Sequence, residues 1–217
     1  MPEDKKQKVV VVGCGPGHPD YVLPVAAKAV SECEILFGAP RLLRLFPDFS
    51  GEMRKVGANI DSVVHEIGIR SRTHKVGVLV SGDPGCFSLA ECVKRKLGSN
   101  VCKIIPGISS PQLALSRLGL SWTDARVFSV HGRQGPKLEA MLCERLVVIL
   151  LGKDYSWIDC KWKMIPDLFY CHYCRDLGFS EEEIVQLRNI RELQELNPLN
   201  ALLVLEKKDG HGSGRVI

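Results

Sequence analysis

The chain has 217 residues, 45% of them hydrophobic and 25% charged, with 29 Lys and Arg against 25 Asp and Glu for a net charge of +4. That balance excludes a disordered or collagen-like chain, and the lack of a lysine-rich run or basic tail argues against nucleic-acid binding. No apolar run approaches the ~20 residues that span a bilayer, the opening Met1 to Lys8 has no apolar signal core, and nine cysteines scattered through apolar runs read as reduced thiols, so a soluble cytoplasmic protein is expected.

Val9-Val10-Val11-Val12 predicts a buried strand over 8–13, running into Gly13-Cys14-Gly15-Pro16-Gly17. Residues 22–32 read as a helix with Pro24 in its first turn, where a missing N–H is tolerated. A short strand at 34–37, a short helix at 39–45 and a weak strand at 52–56 follow. Ile60, Val63, Val64 and Ile67 recur at helical spacing over 60–70. A strand at 76–80 runs into Ser81-Gly82-Asp83-Pro84-Gly85, and a helix is expected at 86–97. A strand at 101–105 then runs into Pro106-Gly107-Ile108-Ser109-Ser110, where a helix at 110–118 begins. This alternation predicts a parallel sheet covered on both faces.

Residues 118–124 read as a linker. After it, strands are expected at 126–130, 146–151, 167–172 and 200–206, with helices at 136–143 and 180–188. The expected fold class is α/β: two α/β domains with mostly parallel sheets, at 1–120 and 121–208, a flexible tail at 209–217, and a ligand cleft between the domains.

Buried strands ending in glycine-rich loops are where open α/β sheets hold ligands. The first loop is half of a dinucleotide fingerprint. The third glycine is replaced by His18, Pro16 removes a backbone donor, and Ile35-Leu36-Phe37-Gly38 supplies no acid, so NAD and FAD are disfavoured. Taken alone, this loop is also explained as a tight strand-to-helix turn. Asp83 could pair with an ammonium or accept from hydroxyls, or simply belong to an Asp-Pro-Gly turn. Ser109 and Ser110 suit a helix cap or an anion site. Ser129-Val130-His131-Gly132-Arg133 ends a strand, and the planar fork of an arginine suits carboxylates. Cys171-His172-Tyr173-Cys174 has no second ligand pair, so it reads as a buried strand with its following turn rather than a zinc or redox site.

Taken together and in this order, the three loops resemble those of the S-adenosylmethionine-dependent tetrapyrrole methylases, over nearly the whole chain. Ser129-Val130-His131-Gly132-Arg133 is similar to a Ser-Leu-His-Gly-Arg segment of one branch, the one that methylates C5 of cobalt-precorrin-7 in cobalamin biosynthesis. Gly38-Ala39-Pro40-Arg41-Leu42-Leu43, Cys174-Arg175-Asp176-Leu177-Gly178 with Glu181-Glu182-Glu183-Ile184, and Asn197-Pro198-Leu199-Asn200 resemble further segments of that branch.

The resemblance implies methyl transfer from S-adenosyl-L-methionine, leaving S-adenosyl-L-homocysteine, to a meso carbon of a polycarboxylate tetrapyrrole. It also implies a homodimer and, as a functional partner, a C15-methyltransferase/decarboxylase. By motif position it places Pro16, Ser81, Gly82, Asp83, Cys86, Ser109, Ser110 and Leu151 at the cofactor. Gly13, Gly15, Gly17, Arg41, His131 and Arg133 go to the substrate, with His131 as the candidate catalytic proton acceptor. No metal, nucleic acid or membrane partner is expected. A different tetrapyrrole position, a diphthine-type methylase and a non-catalytic ligand-binding module stay open. The family's Leu-Thr after the first loop is Val22-Leu23 here, and 153–165, with Trp157 and Trp162, is too short for the usual helix between two second-domain strands.

Overall fold

The computed structural model describes residues 8–57, 59–98, 102–130, 135–153, 155–158 and 160–208. The chain divides into two compact units, Met1–Ser110 and Pro111–Ile217. The boundary expected at 120 falls inside the second unit, and the tail 209–217 lies outside the described residues.

In the first unit β1 (Val9–Gly13), β2 (Ile35–Gly38), β3 (Glu52–Lys55), β4 (Val76–Val80) and β5 (Cys102–Ile105) form one sheet in the order β3-β2-β4-β1-β5. All of its pairings are parallel. β1 and β4 are buried at every residue, as strands covered on both faces must be. Helices α1 (Pro24–Ser31) and α2 (Pro40–Leu43) supply Ala26, Ala29, Val30 and Leu42 to one face, against Val10, Val12, Leu36 and Leu79. Helices α3 (Ile60–Arg70) and α4 (Leu89–Leu97) supply Val64, Ile67, Ala90 and Val93 to the other, against Val9, Val11, Val76 and Val78. Alternate residues of one strand thus enter opposite cores, as the period of two requires. Each large apolar side chain buried this way contributes ~1.5–3 kcal/mol, so a one-residue register slip exchanges two whole cores.

This strand order creates a switch point. The β1–β2 crossover passes over β4 with its helix on one face, and the β4–β5 crossover passes over β1 with its helix on the other. The chains leaving β1 and β4 therefore set off in opposite directions from adjacent strand ends, the position at which open α/β sheets hold ligands. The helix expected at 86–97 starts only at Leu89, because the Ser88 hydroxyl accepts the Ala90 amide at 3.0 Å as its cap. Residues 86–88 are thereby left in the second loop.

Helix α5 (Ser110–Arg117) closes in a Schellman cap, in which the Gly119 amide donates to Ser116 O at 3.2 Å and the Leu120 amide to Leu115 O at 2.9 Å. The segment expected as a linker thus begins as a helix cap. In the second unit follow β6 (Ala125–Ser129), α6 (Leu138–Leu142), β7 (Leu146–Leu150), α7 (Ile165–Leu168), β8 (Phe169–Arg175), β9 (Glu183–Leu187) and β10 (Ala201–Lys207). The sheet order is β6-β7-β10-β8-β9, and this sheet is mixed. β6 runs parallel to β7, while β10 is antiparallel to β7 and β8, and β9 is antiparallel to β8.

The helix expected at 180–188 is strand β9. The run Glu181-Glu182-Glu183 has helical propensity, but Tyr173 pairs with Val185 and Cys171 with Leu187, and Leu187 is buried while Ile184 is exposed. Pairing and burial override local preference. The strand expected at 167–172 starts at Phe169, after Asp167 and Leu168 complete α7, and runs on to Arg175. Cys171 and Cys174, three apart on one strand, point to opposite faces, and Cys171 belongs to the core that also holds Tyr173 and Leu203. In place of a long helix, the stretch before β8 folds as a 3₁₀ turn (Cys160–Met164) leading into α7. There Trp157 and Trp162 meet edge to face, with ring centroids 4.7 Å apart at 84°, and Trp162 is buried in the core. Among the described residues no helix is long and apolar enough to cross a membrane.

Candidate ligand site

The three loops that follow β1, β4 and β5 meet backbone to backbone at the switch point. Gly15 and Gly82 form an antiparallel bridge, with the Gly82 amide donating to Gly15 O at 2.7 Å and the Gly15 amide donating to Gly82 O at 3.3 Å. Both have positive φ, +63° and +67°, a conformation that side chains with a Cβ rarely adopt. A Cβ on Gly13 would lie 2.7 Å from the Gly107 amide nitrogen, and one on Gly107 would lie 2.3 Å from Gly82 O. The glycines at these positions let three chain segments close on one point.

Asp83 cross-links this cradle. Its Oδ1 accepts the Gly85 amide at 2.7 Å and its Oδ2 accepts the Gly107 amide at 3.0 Å. Charge-assisted bonds of this kind are among the stronger ones. The carboxylate therefore shapes the second loop and fastens it to the third. A carboxylate oxygen accepts more than one bond, so both oxygens keep acceptor capacity. Pro84 is buried, with its Cδ against the Gly13 position. A Cβ built on Gly82 would meet Ser109 Cα at 3.6 Å and Ser110 N at 4.0 Å, so the second loop also lies against the entry to α5.

Arg41 reaches in from the end of β2. Its Nη1 donates to Pro16 O at 3.1 Å and its Nη2 to Ser81 Oγ at 2.8 Å. Beneath the first loop, burial pushes the Cys14 thiol up to about 12, despite a bond from Val80 and the nearby Arg41 charge that act the other way. Burial, then the Asp83 carboxylate, raises Cys86 as well. Neither thiol forms a thiolate near neutral pH, which leaves both as packing groups rather than nucleophiles.

The structure thus brings together Gly13, Gly15, Pro16, Ser81, Gly82, Asp83, Ser109, Ser110 and Arg41 from the residues expected at the site. Gly17 follows Pro16 with φ +106°, and Cys86 donates its amide to Asp83 O at 3.0 Å. Leu151 belongs to the second unit, buried in its core, with its amide on Ala201 O at 3.0 Å. His131 and Arg133 lie outside the described residues. The sequence assigned no role to Gly107 and gave Pro84 only the stiffening of its own turn. Both stand inside the quoted motifs, but no local signal tells which distant backbone they will meet. Among the described residues no group of three or more His, Cys, Asp and Glu is placed to hold a metal ion.

A doubly wound parallel sheet whose glycine loops converge at the switch point is the arrangement in which α/β proteins hold small-molecule ligands. Residues 8–194 match the family of Tetrapyrrole (Corrin/Porphyrin) Methylases, and the chain belongs to that family.

The chain is 34% identical over 125 residues to a cobalt-precorrin-7 C(5)-methyltransferase of Salmonella typhimurium, covering 58% of this chain and 62% of that protein. It is 31% identical over 131 residues to a probable cobalt-precorrin-7 C(5)-methyltransferase of Methanocaldococcus jannaschii, covering 58% and 61%. The chain thus spans about three fifths of the length of these curated relatives. Among solved structures, the precorrin-6Y methylase of Archaeoglobus fulgidus superposes with a TM-score of 0.73 at 23% identity, over 93% of this chain and 98% of that one. The uroporphyrin-III C-methyltransferase of Thermus thermophilus, complexed with S-adenosyl homocysteine, gives 0.70 at 21% identity, over 91% and 96%. These likenesses show the fold.

Proposed function

We propose that the chain is an S-adenosylmethionine-dependent C-methyltransferase that acts on C5 of cobalt-precorrin-7 in cobalamin biosynthesis. The observation that carries the methyl-donor part is the convergence of the 13–17, 81–86 and 106–110 loops on one glycine-lined cradle fastened by Asp83. The similarity to two cobalt-precorrin-7 methyltransferases carries the substrate part.

The residues of the cradle fit such a cofactor. Gly15 and Gly82 hold the first two loops together, the backbone at Ser109 and Ser110 stands beside Gly82, and Asp83 retains acceptor capacity. When bound, adenosylmethionine supplies a methyl group on a sulfonium, a strong electrophile. The target is a meso carbon made electron-rich by enamine character, so the chain's part is alignment rather than strong base catalysis. Holding two reactants in line can supply ~7–11 kcal/mol of the barrier reduction, and a rigid, cross-linked cradle suits that task. Arg133 takes carboxylates of the substrate, and His131 takes the proton that leaves after transfer. The net charge of +4 favours encounter with a polycarboxylate. A homodimer and a C15-methylating decarboxylase as functional partner belong to the same reading.

The test is methyl transfer from adenosylmethionine to cobalt-precorrin-7 by the purified chain, with the new methyl located by NMR and adenosylhomocysteine binding measured by calorimetry. A product methylated at C5 is expected. Methylation at another carbon overturns the substrate assignment, and a chain that binds no adenosylhomocysteine overturns the cofactor assignment.

A further inference from the structure

We propose that Arg41 is a positioning residue that ties the first ligand loop to the second and so sets how tightly the two hold a ligand between them. This rests on the reading of those loops as the cofactor cradle.

The local sequence makes Arg41 a rigid arm. β2 ends at Gly38, Ala39 is extended, and Pro40 opens a one-turn helix with its φ already set. Leu42 and Leu43, next in that turn, are buried in the core shared with α1 and β4. The base of the side chain is therefore anchored while its guanidinium reaches across the strand ends, where burial lowers its pKa from the ordinary value. The sheet order does the rest. β2 lies beside β4, and β4 beside β1, so a side chain at the end of β2 reaches the residue after β4, which is Ser81, and then the first loop at Pro16.

The two bonds go to Ser81 Oγ, 40 positions away in sequence, and to Pro16 O, 25 positions away. On their inner side the same loops are joined by the Gly15–Gly82 bridge. Loops one and two are thus held at two separated points, a backbone pair and a guanidinium fork. A planar fork with fixed donors can span two acceptors; an ammonium is a point charge on a flexible stem and cannot hold both in one geometry. Arg41 also differs from other arginines of the chain. Arg54, Arg70, Arg117 and Arg175 bond to carboxylates, whereas Arg41 gives these donors to a neutral carbonyl and a neutral hydroxyl. Ser81 then acts through Arg41, rather than only on a ligand.

The test uses Arg41→Met, Arg41→Lys, Ser81→Ala and the Arg41→Met/Ser81→Ala double variant. Melting temperature reports on the fold, adenosylhomocysteine affinity on the cradle, and hydrogen exchange of the 14–17 and 81–86 amides on loop closure. Arg41→Met is expected to weaken adenosylhomocysteine about tenfold with the melting temperature little changed, and to speed exchange in both loops of the ligand-free chain. Arg41→Lys should resemble Arg41→Met, and the double variant should be no weaker than Arg41→Met alone. Wild-type exchange in Arg41→Met overturns the proposal. So does wild-type affinity in Arg41→Lys, which assigns the effect to charge, and so does full additivity of the two single changes. If the wild-type chain binds no adenosylhomocysteine, the functional reading fails, and the exchange measurement still decides on the clasp.

Discussion

Asp83 and Gly107, 24 positions apart, are joined by a 3.0 Å bond from the Gly107 amide to Asp83 Oδ2, while Oδ1 of the same carboxylate holds Gly85 at 2.7 Å. Asp83→Asn replaces one of these acceptors with an NH2 group facing a backbone N–H. One donor must then go unsatisfied, at a cost of about 1–3 kcal/mol. Urea denaturation should show that loss, and calorimetry should show weaker adenosylhomocysteine binding with it. Unchanged values in both would remove Asp83 from its role as cross-link.

Two glycines should differ sharply in their response to the same substitution. Gly107→Ala places a methyl 2.3 Å from Gly82 O and 2.8 Å from Gly13 C, with backbone on both sides and no flexible neighbour to yield. It should cost about 1–3 kcal/mol or more and abolish ligand binding. At Gly57 a Cβ meets nothing within 4 Å, so Gly57→Ala should stay within about 0.5 kcal/mol of wild type. Denaturation midpoints of the two variants check the pair.

Glu182 ties the turn between β8 and β9 to the end of α5. Its Oε1 accepts from Arg117 Nε at 2.7 Å and its Oε2 accepts the Gly178 amide at 2.7 Å. The hydrogen bond from Arg117 is the largest influence that lowers its pKa from 4.5. A carboxylate with a lower pKa in the folded state stabilises fully above its unfolded value and loses that contribution as pH falls through the folded one. Glu182→Gln should therefore cost about 0.2–1 kcal/mol at neutral pH, since the pair is partly open to solvent, and the gap to wild type should close in acid. A gap independent of pH would show that the charge contributes nothing.

Thiol reactivity should rank by burial. Cys143 is exposed and Cys86 and Cys92 are half-buried, while burial pushes Cys171 and Cys174 up to about 12 and Cys33 to about 11. Pulsed alkylation near pH 8 followed by peptide mapping should label Cys143 first and leave Cys14, Cys33, Cys171 and Cys174 untouched until unfolding. Early labelling at Cys171 or Cys174 would contradict their placement inside β8.

The first unit was legible because β1, β2 and β4 are near-continuous apolar runs with a glycine at or just after their ends, and strand-helix alternation leaves a parallel sheet as the answer. The second unit was less so. Glu181-Glu182-Glu183 looks helical in a short window, and only the partner strand, β8, makes it extended. At the site, the residue types were readable from the motifs, but their partners were not. Arg41 looked like a group for substrate carboxylates, and the fold shows its fork on Pro16 and Ser81.

By itself, the sequence determined the parallel sheet of the first unit, the three loops and the glycines at their turns. Those features depend on side-chain period and on backbone angles, which neighbouring residues settle. Tertiary structure alone decided that β4 lies between β2 and β1, that Asp83 binds the backbone of the third loop, and that Arg41 spans the first two. Those are bonds between residues 24 to 40 positions apart. Such contacts exist only once burial on both faces of the sheet has brought the strand ends side by side.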